Sequence, residues 1–191
     1  MKAFIFTLMI SLLIVQQDTV KYDIQNMKNE FIKLTNNMVP MRQYVLKIYK
    51  KGEISIDELI EHISDTTSCK VNYYSILMNS YLSELRTATI YFGEVCAYVI
   101  DMILFKEILS NRNYNVDYSY QLFEEYDDYV HAQGYIGYIN SIKSIDKHEL
   151  INVQESYRKW WKINHKKNLK EIRKESRKGN VPLAGSIYRW Y

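Results

Sequence analysis

At 191 residues, 47% hydrophobic and 25% charged, the chain is long enough for one domain with its own core and too short to argue for two. That composition excludes a disordered polyelectrolyte. A formal net charge of only +3 gives no reason to expect a partner held by global charge, such as nucleic acid.

The chain opens with Lys2, then an apolar run from Ala3 to Val15, then Gln16-Gln17-Asp18. One positive charge, about thirteen mostly apolar residues and a polar exit have the outline of a secretory signal peptide. Residues 1–17 are therefore expected to be a leader, which makes the protein exported, periplasmic or secreted. Val15-Gln16-Gln17 lacks the small-x-small pattern of a cleavage site, so a retained N-terminal anchor is the alternative. The run is shorter than the roughly 20 residues that span a bilayer. A buried first helix is the third reading. Without the leader, 174 residues and a formal charge of +2 remain, and residues 18–180 are expected to form the folded domain.

Six Gly and two Pro punctuate the whole chain, while sheets need a turn about every 5–10 residues; long helices are favoured. Residues 20–51 read as one helix or two joined near Pro40, with Ile24, Met27, Phe31 and Leu34 at 3-4-3 spacing and Met41, Val45, Ile48 and Tyr49 following. Lys50-Lys51-Gly52 is a helix stop: cations at the negative end of the dipole, then Gly. Ser55-Ile56-Asp57-Glu58 is a capping box opening a short helix to Ile63. Residues 64–68 form a loop.

Residues 72–110 read as a long central helix, apolar on several sides between Tyr91 and Leu109, which suits the middle of a bundle. Gly93 marks a close crossing or a kink. Cys96 lies in this stretch and Cys69 precedes it. In an oxidising compartment the two could form a disulfide, enclosing 26 residues and contributing about 3 kcal/mol; a buried thiol is equally ordinary. Residues 117–133 read as a further helix. Asp146-Lys147-His148-Glu149 starts a last helix, running to Lys178, with Leu150, Val153, Tyr157, Trp160, Trp161, Ile163, Leu169 and Ile172 on its apolar stripe. Residues 181–191 form an irregular, aromatic tail. The expected fold is an all-α, single-domain bundle of five or six helices.

Charge is unevenly placed. Residues 155–178 carry ten Lys or Arg against three Glu, whereas 53–65 and 117–128 each carry five acids and no Lys or Arg. The basic helix, with Arg158, Lys159, Lys162, Lys166, Lys167, Lys170 and Lys174, suits an acidic partner or an anionic membrane surface, and Trp160-Trp161 would fit a lipid interface. The plainer reading is a solvated face opposite a Trp-rich core stripe. Glu124, Glu125, Asp127 and Asp128 suit docking of a basic partner. Asp127 and His131 share a helix face, but a helical di-metal site needs a second such helix, and Glu58 with His62 lacks the Glu-x-x-His spacing; no metal or cofactor is expected. Tyr188, Arg189, Trp190 and Tyr191 are residue types enriched at interface hot spots, or else they dock back on the bundle. Eighteen tyrosines would suit a sticky surface, although AT-rich codon usage explains them as well.

No nucleophile elbow, phosphate loop or zinc-protease motif occurs, which lowers the expectation of an enzyme. The function expected is an exported, non-enzymatic binder of another protein, such as an inhibitor or immunity-type protein of the cell envelope. The alternative is a peripheral membrane or envelope-surface protein using the basic helix. An enzyme with a non-local site comes third. Oligomeric state is not legible.

Overall fold

The computed structural model describes residues 2–33, 39–69, 91–105, 136–138, 146–176 and 178–190. The fold is all-α, with helices α1 (Lys2–Ile32), α2 (Val39–Lys51), α3 (Ile56–Glu61), α4 (Phe92–Phe105), α5 (Leu150–Asn164) and α6 (Leu169–Ser176). Strands β1 (Ile136–Tyr138) and β2 (Tyr188–Trp190) pair antiparallel as a small ribbon. The helix expected over 72–110 is not continuous through Tyr91, which bridges Ser68, and α4 starts only at Phe92; 70–90 and 106–135 lie outside the described residues.

The first helix buries Val20, Ile24, Met27 and Phe31, spaced four, three and four apart, so one stripe meets the core. Helix α2 packs along it with Val45, Ile48 and Tyr49 buried. Lys51 at the end of α2 pairs with Asp23 of α1 at 2.7 Å, fixing the two helices at that end. The stretch is two helices, and Pro40 sits in the first turn of α2, where its missing N–H would have had no partner anyway. Gly52 follows α2 at φ +65°, a conformation that disfavours any side chain.

The expected capping box at Ser55 does not form. A 3-10 turn (Gly52–Ser55) runs straight into α3, so Ser55 already has helical angles (φ −87°, ψ −15°) and makes no side-chain cap. Its buried hydroxyl donates to the Ile48 carbonyl at 3.3 Å.

The start of α4 is seated on the loop after α3. Phe92 N–H donates to the Thr67 carbonyl at 2.9 Å and Gly93 N–H to the Asp65 carbonyl at 3.0 Å. Ser68 and Tyr91 form an isolated antiparallel bridge. The buried Glu94 reaches back to accept from Tyr91 N–H at 3.0 Å, the return half of a capping box. Phe92 meets Phe31 edge-on, and Lys28 lies over its ring. Every residue from Phe92 to Leu104 is buried, including Asp101, whose carboxylate accepts from the Tyr157 hydroxyl at 3.0 Å. The all-round burial expected from the sequence is present over Phe92 to Leu104.

The expected single helix from 146 to 178 is two helices. Asp146 caps as expected, accepting from His148 N–H at 2.9 Å, but α5 stops at Asn164. Buried Asn164 donates to the Trp160 carbonyl at 2.8 Å. Asn168 then restarts α6 with a reciprocal capping box: Glu171 N–H donates to Asn168 Oδ1 at 3.0 Å, and Asn168 N–H to Glu171 Oε2 at 3.2 Å. The break also corrects the apolar stripe. Leu150, Val153, Tyr157, Trp160, Trp161 and Ile172 are buried, but Asn164 takes the next core position and Ile163 is 73% exposed.

The tail is not free. Leu183 and Tyr188 are buried. The Tyr188 hydroxyl donates to the Glu149 carboxylate and accepts from Asn152 Nδ2, and β2 pairs with β1 from Tyr188 to Trp190.

A side chain at position 93 has no room, because a Cβ there would stand 1.9 Å from the Ile63 carbonyl oxygen. Gly93→Ala is expected to destabilise the fold by about 2–3 kcal/mol, read from the urea midpoint. An unchanged midpoint would show that the 62–67 loop gives way freely.

Candidate functional site

The α5 and α6 surface is the strongest candidate, and its shape follows from what α5 must bury. The Trp pair that suggested a lipid interface is committed to the interior: Trp160 and Trp161 are 8% and 7% exposed. Trp160 Nε1 donates to Asn180 Oδ1 and Trp161 Nε1 to Asp57 Oδ1, each at 2.8 Å. Their rings are nearly parallel, 6.3 Å between centroids. A buried indole N–H needs an acceptor, and both have one.

With that face buried, the cations divide. Arg158 binds Glu61 through both carboxylate oxygens, at 3.1 and 3.0 Å, and also bonds Glu155. Lys167 donates to Glu175 at 2.7 Å and to Asn164 at 2.8 Å. Lys159 and Lys162 on α5 and Lys166 in the turn after it are exposed with no partner among the described residues, as are Lys170 and Lys174 on α6. Exposed Ile163 lies beside the first three in sequence. The seven cations expected on one helix are thus two internal ties and five ammonium groups with no partner among the described residues, four on two helices and Lys166 in the turn between them.

The acidic stretch 53–65 is used by the fold itself. Asp57 holds Trp161, Glu61 holds Arg158, and Asp65 pairs with Lys28 at 2.6 Å. Glu58 stands 3.6 Å from His62, whose ring meets Phe92 edge-on. Gln154 of α5 donates to the carbonyls of Ile60 and Glu61 at 2.8 and 2.9 Å, closing the end of α3. Two acids of this stretch, Glu61 and Asp65, thus pair with cations of other elements.

The other expected positions fall elsewhere. Glu124, Glu125, Asp127, Asp128 and His131 lie outside the described residues, as does Tyr191. Tyr188 is an internal tie, and Arg189 and Trp190 lie in β2 opposite Gly137 and Ile136. Cys69 and Cys96 are free thiols rather than a bridge. Burial, then the charges of Glu94 and Asp65, push the Cys69 thiol up to about 12; complete burial raises Cys96 well above the usual range. Neither is set up as a nucleophile. Among the described residues no group of three or more His, Cys, Asp or Glu could hold a metal ion.

Sequence reasoning missed the division of the basic helix. The signal was present in Asn168-Leu169-Lys170-Glu171, a helix start within a run otherwise rich in helix formers.

No family model matches the chain, and no curated protein or solved structure matches it.

Two measurements follow from these environments. Burial alone would raise the Asp65 carboxyl, but hydrogen bonds from Lys28 and Thr67 outweigh it and hold the group below its ordinary value. Asp65 thus contributes stability that is complete above the unfolded carboxylate pKa of about 4 and lost as pH falls through the folded value. Lys28→Met should flatten that acid limb in urea titrations between pH 6 and 2; an unchanged limb would refute the assignment. Native protein at pH 8 should resist alkylation at both cysteines, while urea-unfolded protein labels twice by mass. Rapid native labelling would show the thiols to be accessible.

Proposed function

We propose that this protein is an exported, non-enzymatic helical domain that binds an acidic protein partner. The carrying observation is the unpaired lysine face at Lys159, Lys162 and Lys166. The fold pairs Arg158 and Lys167 and commits the neighbouring acids Asp57 and Glu61, yet leaves Lys159 and Lys162 exposed on α5, which two buried, hydrogen-bonded tryptophans hold, and Lys166 exposed in the turn just after it. A fixed row of like charges raises the encounter rate with an oppositely charged partner and disfavours like-charged ones. Lys170 and Lys174 are further exposed lysines, on α6. Export rests on the apolar leader-like segment at residues 3–15 followed by Gln16-Gln17-Asp18.

Anionic membrane surface is the second reading. The buried tryptophans no longer support it, but exposed Ile163 beside Lys159, Lys162 and Lys166 does, since an apolar side chain flanked by cations suits headgroups.

The test is capture from envelope or secreted fractions by the tagged protein, compared with its Lys159→Gln/Lys162→Gln/Lys166→Gln variant. Exposed substitutions of this kind change stability by about 0.5 kcal/mol or less each, so the fold should persist. A stoichiometric acidic protein whose capture falls at least tenfold in the variant is the expected result. Capture unaffected by the substitutions would refute this face. Lysine-dependent sedimentation with phosphatidylserine vesicles at low salt, without a protein partner, would transfer the function to the membrane surface.

A further inference from the structure

Among the residues whose burial is described, the core begins at Val20, and Val15 to Thr19 just before it take no part in it. Val15, Gln16, Gln17, Asp18 and Thr19 are all exposed, Val15 at 64%, although they continue α1 without a break. Val20, Asp23, Ile24, Met27 and Phe31 are buried, and Asp23 carries the pair to Lys51. The boundary is one residue wide.

A second observation marks the same place. Asp18 and Thr19 are residue types favoured at helix starts, yet they lie in the middle of a continuous helix. The Thr19 hydroxyl donates back to the Val15 and Gln16 carbonyls, at 2.5 and 3.1 Å. Such back-bonding slightly weakens a helix interior and often bends it. If the helix began at this point, Asp18 would instead place its carboxylate at the positive end of the dipole.

We infer that residues 16–20 contain a proteolytic maturation site, and that the mature domain starts there with its described core complete. This rests on the export reading given above and gives the leader boundary expected near residue 17 a structural basis. An endopeptidase hydrolyses one backbone amide in this stretch: the C–N bond breaks, and water supplies hydroxyl to the new carboxyl group and hydrogen to the new amine. At neutral pH these become a carboxylate on the released leader and an ammonium at the new terminus. An ammonium at a helix N-terminus is unfavourable, and the Asp18 carboxylate, where it is retained, offsets it. The peptidase needs extended backbone, and unwinding here exposes no described core side chain, so local opening is cheap.

The experiment expresses the full chain with a C-terminal tag in a secreting host, then determines the N-terminus of the exported protein by sequencing and intact mass. The expected start is any residue from Gln16 to Val20. The exported chain should melt within about 2 °C of the unprocessed chain purified from a non-secreting host. Export with Met1 intact would overturn the maturation site while leaving the export and binding readings standing. A start beyond Val20, or a melting temperature several degrees lower after processing, would overturn the boundary. An intact chain retained inside the cell would overturn both the maturation site and export.

Discussion

The close approach of Gly93 to Ile63 is the constraint on which the rest of the bundle depends. Helix α4 is buried on every side, so its position must be determined by what it touches at its ends as well as along its length. At the N-terminal end its first amides donate to the carbonyls of Thr67 and Asp65, and the absence of a side chain at 93 lets the two backbones meet. That contact places Phe92 against Phe31 of α1 and under Lys28, and Lys28 in turn holds Asp65. One short segment thus joins α1, the loop after α3 and α4. With α4 positioned, α2, α3, α5 and α6 have a common apolar surface to cover.

Charge pairing organises the outer layer in the same way. Helix α3 is short; it buries Ile56, Leu59 and Ile60, and polar ties add to that burial. Its carboxylates at 57 and 61 reach α5, one taking an indole N–H and the other a guanidinium, while Gln154 closes its carbonyl end. These ties leave α5 with one face inward and the opposite face unneutralised. The lysine face is therefore partly a consequence of the fold's own bookkeeping: the acids near it already have partners. Burial of Trp160 and Trp161 removes the indoles from any surface role but rigidifies the helix that presents the lysines, which favours recognition by reducing the ordering needed on binding.

The candidate site was only half legible. Lys159, Lys162, Lys166, Lys170 and Lys174 are visible as a basic run in the sequence, but so are Arg158 and Lys167, and nothing local separates the two sets. Glu61 lies 97 residues from Arg158; no periodicity or spacing links residues so far apart. The tail shows the same limit. Its aromatic composition is compatible with an interface or with docking, and Tyr188 docks because Glu149 and Asn152, 39 and 36 residues earlier, supply partners for its hydroxyl.

The sequence by itself determined the all-α class, the inward stripes of α1 and α2 and that of α5 as far as Trp161, the stop at Gly52, the cap at Asp146 and the buried character of α4. These follow from side-chain periodicity and from backbone preferences that act within one or two helical turns. Only the tertiary structure decided that Ser55 turns inward to Ile48, that Ile163 faces water while Asn164 takes the core position, and which cations remain unpaired. The physical reason is that each of these outcomes balances a local preference against a partner brought close only by folding: a carbonyl at the end of another helix, a core position already filled, or a carboxylate from a distant segment.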